Sequence, residues 1–155
     1  MINQTCCFTG HRKIPLDQLE SVTQRLRDAV IASIKDGYLY FGAGGALGFD
    51  TLAAKTVLEL RTIYPEIKLI LVLPCLDQAE KWNEEDKNEY ERIKSLADKV
   101  VYTSGNYFNG CMQRRNRHLI DNSSLCICYL TERIGGTAYT VNYARDKGCM
   151  VVNLA

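Results

Sequence analysis

Four short segments combine glycine with basic or hydroxyl side chains, the residue types that hold phosphate groups. The first is Thr-Gly-His-Arg at 9–12, in which Gly10 permits a sharp turn and His11 and Arg12 follow it. Backbone N–H groups bared at such a turn, together with the Arg12 guanidinium, suit a phosphate. The same four residues also suit an ordinary solvated turn, so this segment alone leaves both interpretations open.

The second segment, 42–50, contains four glycines and leads to Asp50. The glycines expected to present backbone N–H groups to an anion are Gly44, Gly45 and Gly48. The segment is not a P-loop, because no Gly-Lys-Ser/Thr closes it, and Leu47 stands where a dinucleotide-binding fingerprint has its third glycine. Asp50 is expected in the first turn of a helix, where it either offsets the helix dipole or accepts hydrogen bonds from sugar hydroxyls.

The third segment, 110–118, places three arginines at the start of a short predicted helix. Cations are disfavoured at a helix N-terminus, so a bound anion would relieve a conflict that a solvated basic face would leave in place. Positions 114, 115 and 117 are spread around a helix, so not all three side chains can face one ligand. The predicted ligand residues are Arg115, Asn116 and Arg117, and Arg117 is expected to neutralise the phosphate together with Arg12.

The fourth segment, 134–137, joins a predicted strand to the last predicted helix and contains Gly135, Gly136 and Thr137. Its glycines are expected to present amides to an anion, and Thr137 is expected to act as the helix N-cap or as an anion ligand. Two glycine-rich helix starts with arginines between them predict a cradle for a phosphorylated, nucleotide-like molecule.

Short apolar runs alternate with stretches of helical periodicity, a pattern typical of βα units. The predicted strands are 5–9, 38–41, 68–73, 99–103, 125–130 and 150–152. The third strand has five consecutive apolar residues, as in a parallel strand covered on both faces, and Gly37 is expected to end the first helix as its C′ residue. We predict an α/β, Rossmann-like doubly wound sheet, mainly parallel, of about six strands with helices on both faces, whose carboxyl edge gathers the four segments.

Length and composition narrow the class of protein. The 155 residues are expected to form one domain over 1–155, and 46% hydrophobic residues exclude a disordered chain. A net charge of +1 gives no long-range attraction for polyanions. The first residues lack the features of a signal peptide and no apolar run is long enough to span a membrane, so a cytoplasmic location away from membranes is expected. The seven cysteines lack metal-ligand spacing and are interpreted as reduced thiols, so no metal or cofactor is expected.

Taken together, the motifs at 6–12, 42–50, 115–117 and 134–137, with Tyr143-Ala144, resemble the SLOG superfamily. This superfamily joins the DNA-processing protein A proteins and the Lonely-guy proteins, and the sequence is most similar to its YpsA-like branch. The resemblance covers nearly the whole chain. It implies a Rossmann-like fold that binds nucleotides or nucleotide-derived ligands, with the glycine loops and the Arg-Asn-Arg segment around the pocket.

One departure from the superfamily bears on catalysis. The Lonely-guy proteins cleave the glycosidic bond of nucleoside monophosphates and carry a Pro-Gly-Gly-x-Gly-Thr-x-x-Glu motif, whereas the matching run here, 134–142, ends in Asn142. An amide cannot transfer a proton or stabilise an oxocarbenium-like cation as a carboxylate does. Such N-glycosidase activity therefore stays an alternative, with Asp50 or Glu132 as the replacement carboxylate.

The sequence predicts a sensor or accessory protein for a nucleotide-derived ligand rather than a strong catalyst. Single-stranded DNA binding is a second alternative, because arginines of 114–117 and the aromatic side chains of Tyr107 and Phe108 offer charge and stacking surfaces. The balanced net charge argues against it. A homodimer is expected only because two-fold assemblies are common.

Overall fold

The computed structural model describes residues 1–155 and contains a six-stranded sheet flanked by helices. The strands are β1 Thr5–Gly10, β2 Tyr40–Ala43, β3 Lys68–Leu73, β4 Lys99–Tyr102, β5 Leu125–Tyr129 and β6 Met150–Asn153. The helices are α1 Leu16–Lys35, α2 Phe49–Arg61, α3 Glu84–Leu96, α4 Cys111–Asp121 and α5 Gly136–Asp146, after a short 3₁₀ turn at Ile2–Gln4. None of these helices is long and apolar enough to cross a bilayer.

All neighbouring strands are parallel, in the order β4-β3-β2-β1-β5-β6. The chain therefore adds strands outward from β1 to β4 and then crosses to the other side of β1 to form β5. The Cα partners Gly10 and Tyr129 put the last residues of β1 and β5 side by side. Their loops leave the sheet next to each other at a topological switch point, the usual ligand crevice of an open α/β sheet. The prediction of a Rossmann-like α/β fold is confirmed.

Two hydrophobic layers pack on the two faces of the sheet. The larger contains buried residues of α1, α2 and α3, such as Leu26 and Leu60, against inward residues of the strands such as Phe41. The smaller contains buried residues of α4 and α5, such as Leu119 and Val141. All seven cysteines are buried and unpaired, and four of them lie in this smaller layer: Cys7, Cys126, Cys128 and Cys149.

The end of α1 explains why the second strand begins two residues later than predicted, whereas the ends of four other strands differ from the prediction by one residue. Gly37 has a positive φ of 98°, and its N–H donates to the Ile34 carbonyl while the Tyr38 N–H donates to the Ser33 carbonyl. These two bonds are the pair that caps a helix in the Schellman motif, so Gly37 is the C′ residue as predicted. Because Tyr38 belongs to this cap, the second strand begins at Tyr40 and not at residue 38, and it extends to Ala43.

Candidate functional site

A pocket of about 380 Å³ opens at the switch point between β1 and β5. Its walls are the loop after β1, the start of α2, the first turns of α4 and the loop from β5 to α5. Most of the residues that the sequence singled out line it: Gly10, His11, Arg12, Asp50, Arg115, Asn116, Gly135, Gly136 and Thr137. The lining also includes residues that were not predicted as ligand residues: Thr9, Ala46, Met112, Gln113, Glu132 and Ile134. Their common signal is position, since each lies near the end of a strand, in the loop that follows it or at the start of the next helix, on the carboxyl edge.

The loop after β1 is fixed by neighbours on both sides. The Phe49 N–H donates to the His11 carbonyl at 3.1 Å, and the Thr131 N–H donates to His11 Nε2 at 2.9 Å. The His11 ring also packs edge-on against the Tyr129 ring, with centroids 5.8 Å apart. Arg12 extends from this fixed backbone as an exposed side chain without an ion pair or a hydrogen bond within the protein.

The glycine-rich loop before α2 is packed against other parts of the chain. Gly42 and Ala43 belong to β2, so the loop begins at Gly44. The Gly44 carbonyl accepts a hydrogen bond from Arg115 Nη1. A Cβ atom at Gly45 would lie 2.4 Å from the Leu73 side chain, and one at Gly48 would lie 2.2 Å from the Arg12 carbonyl oxygen. Gly44, Gly45 and Gly48 therefore lie outside the lining of the pocket and pack behind it.

Asp50 lies in the first turn of α2, as predicted, and is 7% exposed. Its Oδ2 accepts a hydrogen bond from the Ala46 N–H at 3.2 Å, whereas Oδ1 has no partner in the protein and is not sealed from the pocket. Burial raises the pKa of the Asp50 carboxyl, against the opposing effects of Arg115, the Ala46 N–H and Arg12. Asp50 thus offers one free carboxylate oxygen to a hydrogen-bond donor in the pocket.

Arg115 is the arginine of α4 that turns inward, and it is 4% exposed. Its Nε donates to Asn116 Oδ1 at 2.6 Å and its Nη2 to Met112 Sδ at 3.8 Å, in addition to the bond with the Gly44 carbonyl. No carboxylate forms an ion pair with it. Burial lowers the pKa of Arg115, and the charge of Asp50 opposes that change. The Arg115 guanidinium is therefore fixed by hydrogen bonds but has no carboxylate in direct contact.

The other two arginines of α4 lie elsewhere. Arg117 Nη1 donates to Tyr139 Oη on α5 at 3.3 Å, and Arg114 is exposed. Neither side chain lines the pocket. Because the three positions are spread around the helix, only Arg115 reaches the pocket. The position of Arg117 does not support its predicted role in neutralising a phosphate.

The start of α5 is open. Gly135 is the N-cap residue, so the expectation that Thr137 fills this position is wrong, and no side chain caps the helix. The N–H groups of Gly136, Thr137 and Ala138 have no partner within the protein. A Cβ atom at Gly135 or Gly136 would meet nothing within 4 Å. Unsatisfied N–H groups at a helix start carry partial positive charge and bind anions.

The pocket contains both positive and negative groups. The positive groups are Arg12, Arg115 and the start of α5, and the negative groups are the carboxylates of Asp50 and Glu132. All ion pairs of the chain lie away from this edge, on α1, α2, α3 and the residue before β4. Asn142, at the position of the missing glutamate, lines a neighbouring surface cleft instead of the pocket. The arrangement can bind an anion and accept hydrogen bonds from neutral hydroxyls.

Two solved structures share the fold. DNA processing protein A of Streptococcus pneumoniae matches with a TM-score of 0.71 at 19% identity, over 97% of this chain and 50% of that protein. The Helicobacter pylori protein, whose structure was described for its single-stranded DNA binding mode, matches with a TM-score of 0.68 at 19% identity, over 98% of this chain and 65% of that protein. The chain thus spans about half to two thirds of these proteins, and the likeness shows the fold.

Sequence relatives extend over most of the chain. UPF0398 proteins of Bacillus thuringiensis (strain Al Hakam) and of Bacillus cereus (strain AH187) are each 32% identical over 133 residues, which is 84% of this chain and 72% of the relative. The family model described as the YspA SLOG family (YpsA) matches residues 6–149. The resemblance to the YpsA-like branch is confirmed, and the chain belongs to the YspA SLOG family.

Proposed function

We propose that the protein binds a nucleotide or a nucleotide-derived phosphorylated ligand, as a sensor or accessory protein. The observation that carries the proposal is the unsatisfied start of α5, which opens into the same pocket as Arg12 and the buried Arg115. Convergent N–H groups with cations beside them are the usual means of holding a phosphate. The phosphate is assigned to Gly136 and Thr137, with the exposed Arg12 side chain as the cation beside it.

The rest of the pocket supports a sugar next to that phosphate. The free Oδ1 of Asp50 accepts a hydrogen bond, and a ribose hydroxyl is a donor of the required kind. A pocket of about 380 Å³ falls within the range of small-molecule sites and suits a mononucleotide.

The test begins with native mass spectrometry of gently purified protein and continues with calorimetric titration of AMP, GMP, CMP and UMP. We expect at least one nucleotide to bind, and Arg12→Ala to weaken it about tenfold, since a hydrogen bond to a charged group contributes about 1.5–3 kcal/mol. Lys35→Ala, which removes an exposed cation at the far end of α1, is the matched control. Absence of binding for every nucleotide would contradict the proposal, and chromatography of the same mixtures for free base tests the N-glycosidase alternative.

Single-stranded DNA binding is the second candidate, and a specific feature favours it. Tyr107 and Phe108, on the loop before α4, are 59% and 43% exposed. Arg114, near the start of α4, is also exposed. Exposed aromatic rings beside cations stack on bases. A gel-shift titration with a short single strand tests this candidate. Binding that weakens steeply with salt and is lost in Phe108→Ala supports it, whereas absence of a shift at low salt excludes it.

A further inference from the structure

A second cavity lies on the α1 side of the same edge of the sheet. Its volume is about 640 Å³, and it shares His11, Arg12 and Glu132 with the pocket described above. We call the first the α5 pocket and the second the α1 pocket. The two cavities are therefore neighbours with a common wall, and Arg12 belongs to both.

The α1 pocket is lined by cations that have no acidic partner. Lys13 and Arg25 join Arg12 in its lining, where the negative groups are the Glu132 side chain and the terminal carboxylate of Ala155. None of the three cations takes part in an ion pair. The only hydrogen bond from the Arg25 guanidinium is a long one of 3.4 Å, from its Nε to the Ser21 carbonyl. Unpaired cations gathered in one cavity attract an anion.

The backbone places these exposed side chains around the cavity. Gln18 and Arg25 lie seven residues apart on α1, two helical turns, so they share the face that lines the cavity. Lys13 stands in the segment that leads from the β1 loop into α1. The buried ring of Tyr129 contributes an apolar surface beside them. The cavity therefore combines cations on one side with an aromatic surface on another.

Three contacts hold His11, which forms the wall between the cavities. His11 Nε2 accepts the Thr131 N–H at 2.9 Å, and the imidazole packs edge-on against Tyr129. The backbone behind it is fixed by the bond from the Phe49 N–H to the His11 carbonyl. A ligand that occupies both cavities must therefore cross this wall beside the Arg12 side chain.

We propose that the α1 pocket is a second phosphate subsite, and that the physiological ligand is a dinucleotide with phosphate groups on both sides of His11. This inference rests on the proposed function, because it extends the ligand assigned to the α5 pocket. One phosphate lies at the start of α5, and the other lies between Lys13 and Arg25. Two successive phosphate groups occur both in a free linear dinucleotide and at the 5′-phosphorylated end of a single strand.

Calorimetric titration of the full chain with three probes tests the proposal at one ionic strength. The probes are AMP, the linear dinucleotide pApA and a short 5′-phosphorylated oligodeoxyadenylate. The variant is Lys13→Ala/Arg25→Ala, and its charge-matched control is Lys35→Ala/Lys147→Ala, which removes two exposed cations remote from both cavities. Circular dichroism and thermal unfolding verify that both variants fold.

We expect wild-type protein to bind pApA at least about tenfold more tightly than AMP. Lys13→Ala/Arg25→Ala should lose about tenfold more affinity for pApA than for AMP, and the control should keep the wild-type preference. Equal affinities for AMP and pApA, or an equal loss for both probes in the variant, would overturn the second subsite while leaving the proposed function intact. Failure of all probes to bind overturns both. A preference for the oligonucleotide over pApA, with the same dependence on Lys13 and Arg25, identifies a strand end as the source.

Discussion

The two glycine-rich helix starts look alike in sequence but differ in the structure. The loop before α2 is closed, since Cβ atoms at Gly44, Gly45 and Gly48 would lie 2.5 Å or less from neighbouring atoms. The loop before α5 is open, since Cβ atoms at Gly135 and Gly136 would meet nothing within 4 Å. Glycine in the first loop lets segments of the chain approach one another. In the second it leaves backbone N–H groups bare.

The hydrogen bonding of backbone N–H groups also differs between the start of α2 and the start of α5. At α2, the Phe49 N–H donates to the His11 carbonyl and the Asp50 carboxylate accepts the Ala46 N–H from the preceding loop, whereas the N–H groups of Asp50 and Thr51 have no partner. At α5, no side chain caps the helix and the first N–H groups have no partner. Neither helix has a side-chain cap, so the α2 start is satisfied in part within the protein, whereas the α5 start leaves its first three N–H groups unpaired. The same sequence feature serves close packing at one place and, in the function we propose, ligand binding at the other.

The largest expected effect is a loss of stability from a substitution in the closed loop before α2. Gly48→Ala places a Cβ atom 2.2 Å from the Arg12 carbonyl oxygen, at a φ of 78° that disfavours alanine. Backbone must move, so we expect the free energy of unfolding to fall by about 4 kcal/mol, measured by urea denaturation. Gly148→Ala is the matched control, because Gly148 has a φ of 79° and open space around it, and it should cost only about 1 kcal/mol. Similar losses in the two variants would contradict the close packing at Gly48.

The next effect concerns the open loop. Gly136→Ala adds a methyl group at a position with free space, so we expect the free energy of unfolding to change by no more than about 0.5 kcal/mol. The methyl group would still stand where a phosphate approaches the N–H groups, so the Kd for a nucleotide should rise about tenfold. Gly105→Ala, also in open space but outside the pocket, should change neither quantity. Unchanged affinity in Gly136→Ala would remove this loop from the phosphate site.

The smallest effect concerns Asp50, the internal anion of the closed loop. Its pKa is raised by burial, so ionisation costs more in the folded than in the unfolded protein. This contribution makes the wild type less stable as pH rises from the ordinary aspartate pKa through the raised value. Asp50→Asn does not titrate, so it should be more stable than the wild type at neutral pH, by about 0.5–1 kcal/mol, and lose this advantage in acid.

Urea denaturation across pH 3–8 measures the difference. Asp146→Asn, which removes an exposed carboxylate at the end of α5, controls for the change in net charge. A gain for Asp50→Asn that stays constant across this range would contradict the raised pKa of Asp50.

Local patterns made most of the fold predictable. The apolar run of β3 indicated a parallel strand buried on both faces, and Gly37 marked the end of α1. The start of β2 was missed because the Tyr38 N–H takes part in the local helix cap, a backbone hydrogen bond that an apolar pattern does not reveal. The approximate location of the site was also predictable, since loops at the carboxyl edge of a doubly wound sheet must meet.

The sequence by itself determined the strands, the helices, the family and the edge of the sheet where the glycines and arginines gather. The tertiary structure decided which of the three arginines is buried and which of the two glycine loops is closely packed. It also decided that Arg12 lines two neighbouring cavities. Helical and strand periodicity depend on neighbours a few residues away, so a linear pattern carries them. Whether a loop is filled depends on atoms brought from distant segments, such as Arg115 against Gly44, and only packing in three dimensions fixes those.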